Sequence, residues 1–389
     1  MAESTPATAP QQPSASSPSP AGSPPPTTAP PADASTPTPA SPTAAKTPAA
    51  ESQIAVDSNP IYHPQPLDDD DDDDDNDSSL GDENALSTAS ISSSILQYRK
   101  LHGRTFHNFG GADKVEYWAP NDDAQNDQLD INHHLLNLAL DNKLFFAPLS
   151  KPTRVLDVGT GTGMWAIDFA DEFPDCEVTG IDLSPIQPTW VPPNCKFELD
   201  DASQPWTFPD NHFDYIHFRY MIGCFKDWPA VYREAYRCLK PGGWIEHMDC
   251  TADVLSDDGS LPKDTVFVQW KKVFKEAGDK MGQTFEVVDN DNYVGWLKDA
   301  GFKDVENTII KTPVGSWPAD PKWKEVGQFN QYMLEGGIEG LGLYIITNVL
   351  GWKYEEMQVF IAKVRAGLRN KNWHSYCVWG AAWGQKPYE

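Results

Sequence analysis

Val155-Leu156-Asp157-Val158-Gly159-Thr160-Gly161-Thr162-Gly163 is the stretch on which the fold turns. Arg154 to Val158 reads as a short buried strand, and it delivers one carboxylate, Asp157, into a turn with glycine at every second position. Glycine has no Cβ, so such a turn lets the backbone approach a ligand closely. Met164 to Glu172 then reads as a helix, with Trp165, Ile167, Phe169 and Ala170 supplying its apolar contacts. Strand, glycine turn and helix in that order suit a nucleotide-type ligand at the end of a parallel sheet.

Two ligands compete for such a turn, and chemistry separates them. A dinucleotide fingerprint, G-x-G-x-x-G, needs a third glycine where this chain has Met164. Asp157 would also repel a pyrophosphate, whereas it suits the ammonium group of a methionyl moiety. Nineteen residues past Gly163 lies Asp182, in Gly180-Ile181-Asp182-Leu183-Ser184, where a carboxylate accepts from both hydroxyls of a ribose. Asp201, in Leu199-Asp200-Asp201-Ala202, follows the next strand and is placed to accept from an adenine amino group. Three acids at the ends of successive strands beside a glycine turn point to S-adenosylmethionine rather than NAD. The candidate cofactor site is therefore Asp157, Gly159, Thr160, Gly161, Gly163, Asp182, Leu183, Asp201 and Ala202.

Outward from this stretch, strands and helices alternate. Strands are expected over 176–181, 196–199, 213–218 and 244–249, and a helix over 228–239 that stops at Lys240-Pro241-Gly242. Further helices are expected over 129–140, 266–278, 288–300 and 355–368, and further strands over 302–311 and 376–383. Alternation at this spacing implies right-handed crossovers: an α/β fold of the Rossmann-like class with a mostly parallel sheet and helices on both faces. Residues 96–150 read as a helical extension in front of the sheet, and 312–352, rich in aromatics and glycines, as a lid or substrate-site insertion.

The first quarter of the 389-residue chain is a different polymer. Of 34 prolines, 17 lie at or before Pro66, without the apolar periodicity needed to offset chain entropy, and Asp68 to Asp75 is an unbroken acidic run. Residues 1–95 are expected to form a disordered tail. They carry 15 acidic groups and one basic group, or −14, which leaves −13 of the net −27 for the remainder. Negative charge on both parts argues against direct nucleic-acid or membrane-surface binding; the aspartate run reads as a solubilising spacer, with a docking segment for a basic protein as the alternative. With no signal pattern and no spanning apolar run, a soluble chain of cytoplasm or nucleus is expected, not a secreted one. The six cysteines contain no C-x-x-C pair, so neither a zinc site nor a disulfide framework is expected. His133 and His134 face different sides of one helix; surface or packing roles are expected for them, and no metal site.

Longer motifs carry a resemblance. Leu101-His102-Gly103-Arg104-Thr105-Phe106-His107, Pro120-Asn121-Asp122, Leu129-Asp130-Ile131-Asn132-His133-His134, Ile181-Asp182-Leu183-Ser184-Pro185-Ile186-Gln187, Asp227-Trp228-Pro229 and Leu239-Lys240-Pro241-Gly242-Gly243-Trp244 together resemble the fungal LaeA-like methyltransferases, a family that includes velvet-associated regulators of development and secondary metabolism. The resemblance covers nearly everything after residue 96. It implies a seven-stranded sheet, bound S-adenosylmethionine, a velvet-type or other regulatory protein partner and residence in the nucleus. The acceptor, a protein or a small metabolite, differs among members.

Methyl transfer is an in-line displacement, so alignment and exclusion of water matter more than acid–base chemistry, and no metal is needed. If the acceptor has a proton to lose, base candidates near the strand ends are Glu246 and His247, with His217 and Asp249 behind them. Arg219, just after the fourth strand, is a candidate partner for the cofactor carboxylate. Arg104 lies in a segment able to fold over the cofactor. Trp317, Trp323, Tyr332 and Tyr344 are candidates for an apolar acceptor site, with packing the plainer role.

Overall fold

The computed structural model describes residues 98–107 and 117–388; the tail expected over 1–95 lies outside the described residues. In front of the sheet, β1 (Arg99–Leu101) and β2 (Arg104–Phe106) form an antiparallel ladder, followed by α1 (Asp123–Ala139). The expected helical extension is thus partly a hairpin, because His102 and Gly103 take positive φ (46° and 83°) and turn the chain back. Helix α1 starts earlier than its apolar pattern suggested, since Asp122 is its cap and accepts from Gln125 N–H at 3.0 Å.

The sheet is built from β3 (Arg154–Val158), β4 (Glu177–Asp182), β5 (Cys195–Leu199), β6 (Phe213–Arg219), β7 (Leu239–Leu255), β8 (Lys303–Pro313) and β9 (Tyr376–Gln385). Its seven strands run in the order β5-β4-β3-β6-β7-β9-β8. Strands β3 to β7 pair parallel, while β9 is antiparallel to both β7 and β8. The order reverses beside β3, so a crevice opens at the C-terminal ends of β3, β4 and β6.

Helices cover both faces. On one side α2 (Met164–Glu172) lays Trp165 and Phe169 over Val155, Val178 and Tyr215. On the other, α3 (Trp228–Cys238) and α5 (Asn292–Asp299) bury Trp228, Tyr232 and Leu297 against Ile216 and Ile245. Helix α5 is shorter than expected because Asn290 and Asp291, both at φ 55°, break the run before it. Helices α4 (Val266–Met281), α6 (Pro321–Tyr344) and α7 (Tyr354–Leu368) share a further apolar cluster.

The stretch expected as a lid or insertion is mostly the 24-residue α6, running on into a wider turn over Ile345–Val349. Its glycines serve close packing rather than loops. A Cβ on Gly340 would stand 2.7 Å from Nη1 of Arg104, and one on Gly336 2.9 Å from the Gln128 amide nitrogen of α1.

Candidate functional site

The strand ends beside β3 open on one cavity. Asp157, Gly159, Thr160 and Gly161 reach it from the first βα turn, Asp182 and Leu183 from the end of β4, Asp201 and Ala202 from beyond β5, and Arg219 from the end of β6. Gly163 stands just behind as the residue before α2, at φ 82°, where a Cβ would meet the Phe197 ring. Gly159 and Gly161 also have positive φ, 70° and 59°, which aims the turn's N–H groups as side-chain-bearing residues rarely allow.

Each acid is held in place. Asp182 accepts from Gly161 N–H on Oδ2 at 2.8 Å and from Ser184 N–H on Oδ1 at 2.9 Å; burial pushes its carboxyl up to about 6, against these bonds. Asp157 accepts from Thr160 Oγ1 at 2.7 Å and lies 2.8 Å from His217 Nδ1. Burial drives His217 down to about 4, despite its carboxylate neighbour, so it is neutral at pH 7 and donates Nδ1–H to Asp157. Asp201 accepts from Ser203 N–H and Oγ at 3.0 and 2.6 Å.

Three wall atoms are buried without a hydrogen bond: His107 Nδ1, Trp118 Nε1 and Asn132 Oδ1. Nε2 of His107 accepts the Tyr117 N–H at 3.0 Å, so the neutral ring carries its proton on Nδ1, pointing a donor at the cavity wall. Two donors and an acceptor without protein partners, beside the carboxylates of Asp157, Asp182 and Asp201 and the guanidinium of Arg219, fit a ligand that is an adenosine at one end and a zwitterion at the other. The residues present therefore fit S-adenosylmethionine.

Other expected residues are placed elsewhere. Arg104 does not line this cavity; its guanidinium grips Asp122 through two bonds, 2.5 and 2.7 Å, and fixes the start of α1. Glu246 is 1% exposed and accepts from both Phe146 and Ala147 N–H at 2.8 Å, so its carboxylate pins the segment after α1 to the sheet. His247 is enclosed on the opposite face between Tyr232 OH (2.6 Å) and Asp249 (3.1 Å), its ring stacked on Trp228. Neither reaches the cavity, so the structure removes both from the base candidates. Trp317 bonds the Ser375 carbonyl, Tyr332 is exposed, Trp323 packs beside Leu136, and Tyr344 packs against Phe106; none lines it.

Among the wall residues that the sequence did not disclose is His133, for which a surface or packing role was expected. His133 is a wall residue: Arg219 donates to its Nδ1 at 2.9 Å, so its Nε2–H donates to Asp168 at 2.8 Å. The chain Asp168–His133–Arg219 joins α2, α1 and β6, residues 35 and 86 apart, and no single-sequence signal links them.

A methyltransferase-domain family matches residues 131–307. The chain is 38% identical to "Methyltransferase pytC" of Aspergillus terreus over 78% of this chain and 92% of that protein. It is 35% identical to "Secondary metabolism regulator LAE1" of Cochliobolus heterostrophus, over 71% and 90% respectively. To "Protein-methionine methyltransferase laeA" of Emericella nidulans it is 32% identical, over 75% and 77%. With the cavity's acids and this similarity over most of the folded part, the chain belongs to the LaeA-like methyltransferases, enzymes that use S-adenosylmethionine.

Proposed function

We propose that Asp182 and Asp201 hold the adenosine part of S-adenosylmethionine and that Asp157 and Arg219 hold its amino-acid part, for methyl transfer to an acceptor of secondary metabolism. The observation that carries this reading is the convergence of four strand ends and their charged groups on one cavity. When bound, S-adenosylmethionine supplies an electrophilic methyl carbon on a positively charged sulfur. The chain's own work is positional. His217 orients Asp157, and His133 orients Arg219. Calorimetry with S-adenosylhomocysteine tests the site: one equivalent bound by the full chain is expected, and no detectable binding would end the assignment.

The relatives' names, a methyltransferase on one hand and secondary metabolism regulators on the other, support two settings. One is a pathway methyltransferase, for which a metabolite acceptor is our proposal; the other is a regulator, for which we propose, from the family resemblance alone, a velvet-type or other protein partner and a place in the nucleus. A polypeptide acceptor has one observation of its own, the thioether of Met221, which lies in the cavity wall against Gly159. Thioether sulfur carries no proton, so its methylation needs no base. Mass spectrometry of the chain and of co-purified proteins after incubation with labelled cofactor separates these settings by where the label appears.

A further inference from the structure

Beyond the cofactor cavity lies a second one, and Trp118, Tyr220, Ile222 and Leu341 belong to the walls of both. It sits between the sheet and the α4, α6, α7 layer, with Trp270 and Phe274 from α4, Met333 and Ile338 from α6 and Val364 from α7 among its lining. All five of these side chains are buried, at 1–6% exposure.

The sheet itself makes the room. Along the β7–β9 ladder, Cys250 faces Trp379 and Val254 faces Cys377, so Thr251, Ala252 and Asp253 oppose a single residue of β9 and bulge out of register. These three residues form the cavity's sheet-side wall. Bulges re-aim strands next to binding sites, and this one occurs where the cavity begins.

Two polar atoms in these walls lack partners. Asn330 is fully buried; its Nδ2 donates to the carbonyls of Thr312 and Pro313 at 3.0 and 2.8 Å, while its Oδ1 has no hydrogen-bond partner among the described residues. Trp118 Nε1–H is unpartnered on the boundary between the cavities. Of the other polar groups, the Thr251 hydroxyl accepts from the Asp253 N–H at 3.3 Å, and Tyr220 lies in the walls of both cavities. Asp253 shares the Lys271 ammonium with Asp289, and burial holds the Cys250 and Cys377 thiols protonated, the second at about 12.

We propose that this second cavity is the methyl-acceptor site, and that its occupant is an uncharged, ring-bearing, apolar small molecule with one hydrogen-bond donor directed at Asn330. This deepens the reading of the first cavity as the cofactor site and rests on it. Aromatic walls suit a flat occupant, and enclosure by buried side chains disfavours a folded polypeptide. An anion is disfavoured because no basic side chain lies in the described lining, and a cation because the one acid there, Asp253, already pairs with Lys271. Transfer forms one bond from the acceptor's lone pair to carbon and breaks the carbon–sulfur bond, whose electron pair stays on sulfur; a proton on the acceptor atom leaves to water.

The probe is N-phenyl-1-naphthylamine, neutral, aromatic and carrying one N–H, titrated by fluorescence into the full chain while calorimetry follows S-adenosylhomocysteine. Ala252→Phe and Leu334→Trp fill the cavity from partly buried positions remote from the first βα turn. One probe per chain is expected to bind, and each variant to weaken it by about tenfold or more with S-adenosylhomocysteine affinity unchanged. If S-adenosylhomocysteine and probe both fail to bind, the cofactor assignment falls; if only the probe fails, or binds both variants as it binds the parent, the acceptor site falls. Methyl transfer to a polypeptide that persists unchanged in both variants would overturn it as well.

Discussion

The backbone N–H of Gly161 donates to Oδ2 of Asp182 at 2.8 Å, tying the glycine turn after β3 to the end of β4. The same carboxylate is the group expected to meet the ribose. Because burial raises its pKa to about 6, it is largely protonated at pH 5 in the free protein, and a ligand that prefers the carboxylate must first displace a proton. Affinity for S-adenosylhomocysteine is therefore expected to fall about tenfold from pH 7 to pH 5. Asp182→Asn should abolish that dependence, and Asp182→Ala should weaken binding about 10- to 150-fold. A parent affinity flat from pH 7 to 5 would count against this role.

Arg219 faces the cavity while His133 holds one of its nitrogens. Its ligand is expected to be the cofactor's carboxylate. Arg219→Met should then weaken S-adenosylhomocysteine by about 10- to 150-fold, the scale for hydrogen bonds to charged groups. It should leave 5′-methylthioadenosine, which lacks the amino-acid part, unaffected. Equal losses for both ligands would place Arg219 in a purely structural role.

These residues show what a sequence can and cannot disclose. Helix α2 has the bounds read from its apolar spacing, and β3 likewise, because both are buried elements whose pattern is set by one dominant partner. Asp157, Asp182 and Asp201 were legible because parallel-sheet topology puts strand ends together before any coordinates are known. Glu246 and His247 were not: alternation showed that they occupy opposite faces, but only the fold shows that Phe146 and Ala147 cover one and Tyr232 the other. Helix α6 was obscured by glycines that read as loop signals, though α1 and Arg104 demand small residues there. His133 needed three elements to meet.

Arg104 and Gly340 form a contact that can be tested as a pair. Arg104 is fixed by its two bonds to Asp122 and cannot easily retreat from a Cβ on Gly340, 2.7 Å from its Nη1. Gly340→Val should destabilise the chain by about 1–3 kcal/mol through overpacking. Adding Arg104→Ala should recover part of that loss, since it removes the obstructing group. A thermal-melting double-mutant cycle with no coupling would show that α6 is displaced by some other clash.

Glu246→Gln separates a catalytic base from a positioning residue. Burial raises the Glu246 carboxyl from 4.5 to about 7, although the Phe146 and Ala147 N–H bonds favour its charged form. A raised folded-state pKa means the group's stability contribution is complete below pH 4.5 and is lost as pH climbs through 7. For a group 1% exposed, that window corresponds to about 3 kcal/mol between pH 4.5 and pH 8. Glutamine keeps an oxygen for both N–H donors and cannot ionise, so the variant should melt higher than the parent at pH 8 and lose that advantage near pH 4.5. Methyl transfer should persist in the variant with kcat within about threefold of the parent, whereas removing a true general base costs about 100-fold or more. Collapse of kcat with unchanged melting at pH 8 would restore Glu246 to the chemistry and contradict its position behind the Phe146–Ala147 segment.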